Sequence, residues 1–210
     1  MTAEFETEQE AFWAGQFGDE YVARNRSAQL SAANLSFFAR ILSRTNHVRS
    51  VIEYGANVGM NLRALDQLIP EADLTGVEIN EGAANELAAW GRAKVERASI
   101  LGYTPERQYD LAFTKGVLIH IAPDKLPTVY DLLAKSAAAY VAIAEYYSPT
   151  PASLPYRGHQ ERLYKRDFAG EFLSRHPEFG VVDYAFAWRR DPVFPQDDIT
   201  WFLLKRDRSE

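Results

Sequence analysis

The stretch Val51–Gly59 constrains the fold of this chain more than any other segment. A short apolar run carries Glu53 near its end, two glycines, Gly55 and Gly59, follow it, and a helical pattern then begins. The next apolar run also ends in an acid, Glu78. This order of strand, glycine loop, helix, strand and acid is how an open α/β sheet holds the ribose of a nucleoside at the carboxyl ends of its strands. We therefore expect a nucleoside-bearing ligand at this loop.

The segments around that loop alternate between strand-like and helix-like patterns. Strand-like apolar runs lie at 48–54, 74–78, 95–98, 109–114 and 139–145, and helix-like stretches lie between them at 59–69, 81–91 and 124–138. Such alternation predicts βαβ units and a parallel sheet. Two more strands, Val181–Trp188 and Thr200–Lys205, are joined by a proline-containing loop and predict an antiparallel end to that sheet.

The N-terminal region predicts helices outside the alternating part. Residues 4–25 have a helical pattern that Gly15 and Gly18 interrupt, whereas residues 27–44 predict a continuous helix capped by Ser27. The first of these segments is either a cover that bends at its glycines or an amphipathic helix docked on the sheet edge.

We accordingly divide the chain into a helical lid over residues 1–45 and a single α/β domain over residues 46–210. The segment 148–155 contains three prolines in eight residues, which predicts that it forms no regular element. A helix over 167–175 follows, with Asp167 as its cap.

The composition argues against several classes of function. The 210 residues suffice for one domain with a sizeable core, and a net charge of −6 without a long basic block predicts no nucleic-acid partner. No apolar stretch reaches the roughly 20 residues of a membrane span, and the acidic N-terminus lacks the order of a signal peptide. Cysteine is absent and no two of the four histidines have metal-ligand spacing, so we expect no metal site and a cytoplasmic protein.

The residue types in the glycine loop narrow the choice of ligand. Asn57, between Gly55 and Gly59, tolerates the positive φ that such a turn requires. A dinucleotide fingerprint requires glycine where Asn57 and Met60 stand, and a phosphate-binding loop requires a Gly-Lys-Ser/Thr sequence that is missing. Glu53 would repel a phosphate, and it suits a cationic ligand with an amino group and a sulfonium instead.

Three motifs, taken in order, resemble those of class I S-adenosylmethionine-dependent methyltransferases. They are Glu53-Tyr-Gly-Ala-Asn-Val-Gly59, Glu78-Ile-Asn80 and Tyr109-Asp-Leu-Ala-Phe-Thr-Lys-Gly-Val-Leu-Ile-His-Ile121. The resemblance covers residues 48–146. It implies an α/β, Rossmann-like fold with a seven-stranded, mostly parallel sheet and an antiparallel C-terminal strand, and it implies S-adenosylmethionine as the cofactor.

Carried over position by position, the resemblance assigns cofactor contacts to residues at the carboxyl ends of the strands. They are Glu53, Gly55, Asn57 and Gly59 in the loop, Glu78 and Ile79 at the ribose, Ser99 and Ile100 beside the adenine, and Lys115 and Gly116 under the methionine part. The carboxylate of Glu78 suits the ribose because it can accept hydrogen bonds from both hydroxyls.

A narrower resemblance lies outside these motifs. It rests on Gln9-Glu-Ala-Phe-Trp13, Phe17-Gly-Asp-Glu-Tyr21, Arg24-Asn-Arg26, Glu145-Tyr-Tyr-Ser-Pro149 and Arg162-Leu-Tyr-Lys-Arg-Asp-Phe168. These segments are similar to the methylases associated with pseudaminic acid biosynthesis, a label that fixes no acceptor. They are also similar to the related enzymes that close S-adenosylmethionine on itself to give azetidine-2-carboxylate.

Four residues are candidates for a catalytic role. His120 follows the fourth strand and is either a base for the acceptor or a buried histidine hydrogen-bonded to backbone. Tyr146, just past the fifth strand, and Tyr21 have rings that attract a sulfonium by roughly 0.5–2 kcal/mol. Asn25 is a polar candidate for the surroundings of the amine.

Substrate contacts are expected from the lid and from the segment after the prolines. Trp13, Phe17 and Arg26 belong to the predicted lid, where glycines allow movement. Arg157 and Tyr164 belong to a basic, aromatic cluster that either grips a carboxylate or forms a solvated surface loop, and the surface loop is the simpler expectation.

Three functions fit these observations. The first is methyl transfer to a small molecule such as a sugar acid, an amine or a natural-product intermediate. The second is cyclisation of S-adenosylmethionine to azetidine-2-carboxylate with release of methylthioadenosine. The third is cofactor binding without catalysis. The sequence leaves the oligomeric state open.

Overall fold

The computed structural model describes residues 5–18, 27–156 and 159–207, with no side-chain description at 155–162. Its helices are α1 (Glu8–Ala14), α2 (Ala28–Leu42), α3 (Met60–Leu68), α4 (Glu81–Trp90), a 3₁₀ helix (Leu118–His120), α5 (Leu126–Ser136) and α6 (Phe168–Arg175). Its strands are β1 (Ser50–Tyr54), β2 (Asp73–Glu78), β3 (Ala93–Arg97), β4 (Tyr109–Lys115), β5 (Ala137–Glu145), β6 (Ala152–Tyr156), β7 (His159–Lys165), β8 (Phe179–Ala187) and β9 (Ile199–Arg206). None of the helices in these ranges is long and apolar enough to cross a membrane.

Seven of the strands form one sheet in the order β3-β2-β1-β4-β5-β9-β8. The first five of these strands pair in parallel, and β9 runs antiparallel to both β5 and β8. This confirms the predicted Rossmann-like α/β fold with its antiparallel C-terminal strand. The chain order reverses beside β1, and in an open α/β sheet that reversal leaves a crevice outside the carboxyl ends of the strands.

The sheet is covered by helices on both faces, so its central strands are apolar throughout. On one face, Phe38 and Ile41 of α2 pack with Leu111 of β4. On the other face, Leu133 of α5 packs in a cluster with Ile52 of β1. Because α2 shares its core with the sheet, it is a fixed part of the described structure. The division of the chain at residue 45 remains a prediction.

The predicted helix caps are present. Ser27 Oγ accepts the backbone N–H of Leu30 at 3.1 Å, and Asp167 Oδ1 accepts that of Gly170 at 2.9 Å. Each bond satisfies a donor that the first turn of a helix leaves without an intrahelical partner.

One prediction about regular structure was wrong. Residues 148–155 were expected to form no regular element, but β6 begins at Ala152 and pairs antiparallel with β7 in a separate two-stranded sheet. The register shifts between Leu154 and Tyr156, so Pro155 lies at the irregularity, where its missing N–H costs the ladder least. The resulting hairpin places β7 against the 3₁₀ helix that carries His120.

Candidate functional site

A cavity of about 200 Å³ lies at the carboxyl ends of the parallel strands. Most of the residues assigned to the cofactor line it together. They are Gly55, Asn57, Glu78, Ile79, Ser99, Ile100, Lys115 and Gly116, joined by Trp13 and His120. Glu53 and Gly59 are neighbours in sequence of lining residues, but they do not line the cavity themselves.

The glycine loop has the conformation that its residue types predict. Gly55, Asn57 and Gly59 have φ of 76°, 48° and 80°, which confirms the positive φ expected at Asn57. A Cβ on Gly55 would lie 2.5 Å from Val117, and one on Gly59 would lie 2.3 Å from Leu87. The loop therefore requires glycine for both its backbone angles and its close packing.

Glu78 organises the loop as well as facing the cavity. Its Oε2 accepts the backbone N–H of Asn57 and its Oε1 accepts that of Asn80, both at 2.7 Å. Burial raises the pKa of Glu78, while these backbone bonds act in the opposite direction. Each carboxylate oxygen can accept more than one hydrogen bond, so the carboxylate retains acceptor capacity on the cavity wall.

Glu53 is a buried carboxyl group with one unsatisfied oxygen. It is only 1% exposed, its Oε1 accepts Asn61 Nδ2 at 2.6 Å, and its Oε2 has no hydrogen-bond partner among the described residues. Burial raises the pKa of Glu53 to about 8, with Asn61 and Lys115 acting in the opposite direction. An unpaired buried carboxyl costs free energy, and a cation beside it would recover that cost.

Lys115 stands at the end of β4 within a polar cluster. Its Nζ donates to Asn34 Oδ1 at 3.4 Å and lies 5.5 Å from the ring centroid of Phe37. Burial lowers the pKa of Lys115, and nearby carboxylates oppose that effect. Those carboxylates belong to Asp197, Glu53 and Glu145. Gln196 Nε2 also donates to Asn34 Oδ1, at 3.1 Å, so α2 and the β8–β9 loop meet at this lysine.

Glu145 fixes the loop that carries His120. It ends β5, is buried, and accepts the backbone N–H groups of Val117 at 3.1 Å and Ile119 at 3.4 Å. Burial raises the pKa of Glu145 to about 7. The 3₁₀ turn that follows presents His120, 7% exposed, to the cavity.

Helix α1 covers one side of the cavity through contacts with two strand-end loops. Glu10 forms a capping box with Thr7 at the start of this helix. Its Oε1 also accepts a hydrogen bond from Ser99 Oγ. The backbone carbonyl of Trp13 accepts Asn80 Nδ2 at 3.4 Å. The ring of Trp13 also lies 4.7 Å from that of His120, centroid to centroid.

Three other predicted residues lie away from the cavity wall. Tyr146 is half-buried between the two core clusters, with Lys165 Nζ 5.3 Å from its ring centroid. Phe17 meets Trp13 edge-on, with 5.3 Å between the ring centroids. Tyr164 is a half-buried residue of β7 that pairs with Ser153.

Four predicted residues lie outside the described residues. They are Tyr21, Asn25, Arg26 and Arg157. Their proposed roles remain predictions.

Several cavity residues were not predicted from the sequence. They are Glu10, Asn34, Asn61, Asn80 and Asp197. Asn61 had a usable signal, because it lies in the first turn after the glycine loop, and so did Asn80, which lies two residues after Glu78. Glu10 belongs to a Thr-x-x-Glu capping box, which marks a helix start but says nothing about a distant partner.

Comparison of the sequence with protein-family models gives no match, and no curated protein sequence matches it either. Solved structures do match. The chain has the fold of the S-adenosylmethionine-dependent methyltransferases. One such structure is the Burkholderia thailandensis 1,6-didemethyltoxoflavin-N1-methyltransferase with bound 1,6-didemethyltoxoflavin and S-adenosylhomocysteine. Its TM-score is 0.70 at 16% identity, over 99% of this chain and 94% of that one.

Two further structures support the same fold. The magnesium protoporphyrin IX methyltransferase from Synechocystis PCC 6803 with bound S-adenosylmethionine has a TM-score of 0.66 at 14% identity, over 99% of this chain and all (100%) of that one. A Leishmania major S-adenosylmethionine-dependent methyltransferase has a TM-score of 0.70 at 15% identity, over 97% and 88%. The TM-scores establish a common fold, and at identities this low they establish the fold alone.

Proposed function

We propose that this protein is an S-adenosylmethionine-dependent methyltransferase that acts on a small molecule. The observation that carries the proposal is the position of Glu78. Its buried carboxylate lies on the wall of a cavity at the carboxyl ends of the strands and organises the glycine loop beside it. This arrangement lies within a fold shared with methyltransferases that were solved with that cofactor or its demethylated product.

The described residues suit this cofactor. Glu78 would hold the ribose hydroxyls, and Ser99 and Ile100 would flank the base. Glu53, with its unsatisfied buried oxygen next to Lys115 and Asn61, suits the cationic methionine part. When bound, S-adenosylmethionine supplies a methyl group that its sulfonium already activates for transfer.

The protein's own task is then to orient the acceptor and exclude water. Methyl transfer from a sulfonium depends mainly on proximity and alignment, so few catalytic groups are required. Trp13 faces the cavity from α1, His120 faces it from the 3₁₀ helix, and Asn34 faces it from α2. His120 is the group that can take a proton when the acceptor must lose one.

A small-molecule acceptor is supported by the neighbours and by the enclosure of the site. Two neighbours are named as methyltransferases of 1,6-didemethyltoxoflavin and magnesium protoporphyrin IX, which are both small molecules. In this chain, α1 covers one side of the cavity and contacts Ser99, Asn80 and His120. That cover leaves less room for a macromolecular acceptor. The acceptor's identity and the narrower resemblance to pseudaminic acid-associated methylases remain predictions.

Calorimetry with S-adenosylhomocysteine is the first test, because it measures cofactor binding without an acceptor. We expect saturable binding with one site per chain and no binding of NAD. The exposed acid Glu81 provides a control variant, Glu81→Gln, that should bind equally well. Failure of S-adenosylhomocysteine to bind the folded protein would overturn the proposal.

Incubation with S-adenosylmethionine alone, followed by mass spectrometry, separates the three functions. A methyltransferase leaves the cofactor intact until an acceptor is added and then yields S-adenosylhomocysteine. Formation of methylthioadenosine and azetidine-2-carboxylate without an acceptor would establish cyclisation instead. Binding without turnover across a panel of sugar acids, amines and heteroaromatic compounds would favour a cofactor-binding protein.

A further inference from the structure

Strand β8 and the loop after it expose an unusual amount of apolar surface. Ten large hydrophobic side chains are exposed in the described residues, and five of them are on β8 or directly after it: Val181, Val182, Tyr184, Phe186 and Trp188. Val193 and Phe194 of the following loop are also exposed. Scattered exposed apolar residues are ordinary, but a contiguous group of this kind marks a surface that another molecule covers.

The backbone of β8 also lies at an edge of the sheet. It is the last strand of the seven-stranded sheet and pairs only with β9 among the described strands. Proteins usually protect such an edge with lysine, proline or a bulge. The sequence of β8, Phe179-Gly-Val-Val-Asp-Tyr-Ala-Phe-Ala187, contains neither lysine nor proline. Its one irregularity falls between Val181 and Asp183, so the second half of the strand has no lysine, proline or bulge, and its Tyr184 N–H donates to Asp183 Oδ1 at 2.9 Å.

The charges near this edge are few and are placed at its two ends. Asp183 precedes the exposed aromatic residues and pairs with Arg44, two residues after the end of α2, at 3.0 Å. Arg189 follows them and pairs with Asp198 at 3.3 Å. The segment 183–189 therefore begins with an acid and ends with a base, with Tyr184, Phe186 and Trp188 between them.

We propose that the second half of β8 pairs antiparallel with the same strand of a second copy of this chain, with a twofold axis at Phe186. In this register Tyr184 lies opposite Trp188 of the second copy, and Asp183 lies opposite its Arg189. The pairing therefore extends past Ala187, where β8 ends, into the turn that follows it. It exchanges the ion pairs of Asp183 with Arg44 and of Arg189 with Asp198 for pairs between the two copies. Alternate residues of a strand project from one face, so the three aromatic side chains of each copy would meet on the same face of a continuous sheet.

A second copy is the occupant that the segment itself favours. A twofold pairing brings an identical patch against itself, so the patch must be complementary to its own inverted sequence. When the segment 183–189 is aligned with its own reversed sequence, aromatic residues lie opposite aromatic residues and the acid lies opposite the base. Stable interfaces bury about 800 Å² per partner, and the exposed side chains of the β8–β9 loop widen the contact beyond the strand.

Light scattering after size-exclusion chromatography tests the assembly. We expect the protein, whose chain mass is 23.8 kDa, to elute with about twice that mass. Phe186→Lys should halve it, because it places two like charges at the axis. Phe5→Lys adds the same charge at another exposed aromatic and should leave the dimer intact. A wild-type monomer, or a dimer that Phe186→Lys leaves unchanged, would overturn the proposal.

Disulfide trapping tests the register and does not depend on how well Phe186→Lys folds. The chain has no cysteine, so Phe186→Cys introduces the only thiol. We expect mild oxidation to convert most of that variant to a covalent dimer, whereas Glu71→Cys, exposed between α3 and β2, should remain monomeric. Equal trapping of both variants would contradict the pairing.

A membrane surface is the competing occupant, because Arg189 and Arg190 flank the aromatic residues. Sedimentation with vesicles of phosphatidylcholine and phosphatidylserine distinguishes it. Binding of a monomeric protein to these vesicles, lost in Phe186→Lys, would overturn the dimer, whereas a dimer that ignores the vesicles supports it.

Discussion

Glu78 both shapes the glycine loop and faces the cavity. A carboxylate at the end of β2 suits the ribose, but here both of its oxygens are already bonded to backbone N–H groups, those of Asn57 and Asn80. The same side chain thus shapes the glycine loop and offers its remaining lone pairs to the cavity. Loss of Glu78 should affect the ligand directly and through the loop.

Glu78→Ala should weaken S-adenosylhomocysteine binding by at least tenfold, about 1.4 kcal/mol, because it removes charge-assisted hydrogen bonds to the ligand and to the loop. Calorimetry measures the affinity, and circular dichroism verifies that the variant is folded. Glu81→Gln alters an exposed acid three residues further on and serves as the control. An unchanged affinity in the folded Glu78→Ala protein would mean that the ribose lies elsewhere.

At the scale of secondary-structure elements, α1 is held over the site by contacts with the loops at the strand ends. They include the bond from Ser99 to Glu10, the bond from Asn80 to the carbonyl of Trp13, and the packing of Trp13 on His120. Its remaining surface contributes little to the two main core clusters, to which it supplies no buried residue. Opening of such an element requires less free energy than opening of the sheet.

Ser99→Ala should loosen α1 without altering its capping box. A hydrogen bond to a charged group contributes about 1.5–3 kcal/mol, so amide hydrogen exchange in Glu8–Ala14 should accelerate by roughly tenfold or more. Mass spectrometry of peptides from this helix measures the change. Glu8→Gln, an exposed change on the same helix, should have little effect. Equal exchange in Ser99→Ala and the wild type would show that the bond from Ser99 to Glu10 does not hold the helix in place.

The sequence predicted the elements of the sheet better than the contacts between distant elements. Hydrophobic periodicity and caps such as Ser27 and Asp167 are local, so they located nearly every strand and helix. The hairpin of β6 and β7 was missed because Pro155 argues against a strand, and only the partner strand reveals that it lies at an irregular position.

Because sequence signals are local, they also explain which site residues could be predicted. Gly55 and Asn57 belong to one local motif and Glu78 ends the next strand, and the structure places all three together on the cavity wall. Glu10 meets Ser99 from 89 positions away in the chain, and no local pattern encodes such a contact. Asn34 and Asp197 reach the cavity from opposite ends of the sequence for the same reason.

At the scale of the whole molecule, three carboxyl groups are buried at the same edge of the sheet. Glu53, Glu78 and Glu145 end β1, β2 and β5, or stand next to their ends, and all are less than 9% exposed. Burial raises the pKa of each, to about 8 for Glu53 and about 7 for Glu145. The folded protein therefore retains protons that the unfolded chain releases near pH 4.5.

The difference in bound protons between the folded and unfolded states fixes the sign of the pH dependence of stability. Where the folded state binds more protons than the unfolded state, the free energy of unfolding falls as pH rises. For Glu53 the loss begins above its unfolded pKa, continues to about pH 8 and then levels off, with a slope of about 1.4 kcal/mol per pH unit for one proton. Chemical denaturation between pH 5 and 9 should show this decline in the ligand-free protein.

Glu53→Gln should flatten that decline, because glutamine fills the same space without titrating, whereas Glu81→Gln should leave the slope as it is. A bound cation should also reverse the effect, since it favours ionised Glu53. S-adenosylhomocysteine carries an amino group, so its binding at pH 7 should release protons, measurable as a dependence of the calorimetric enthalpy on the ionisation enthalpy of the buffer. This proton release should shrink in Glu53→Gln. Identical slopes and identical proton release in Glu53→Gln and the wild type would show that Glu53 does not meet the ligand's cationic end.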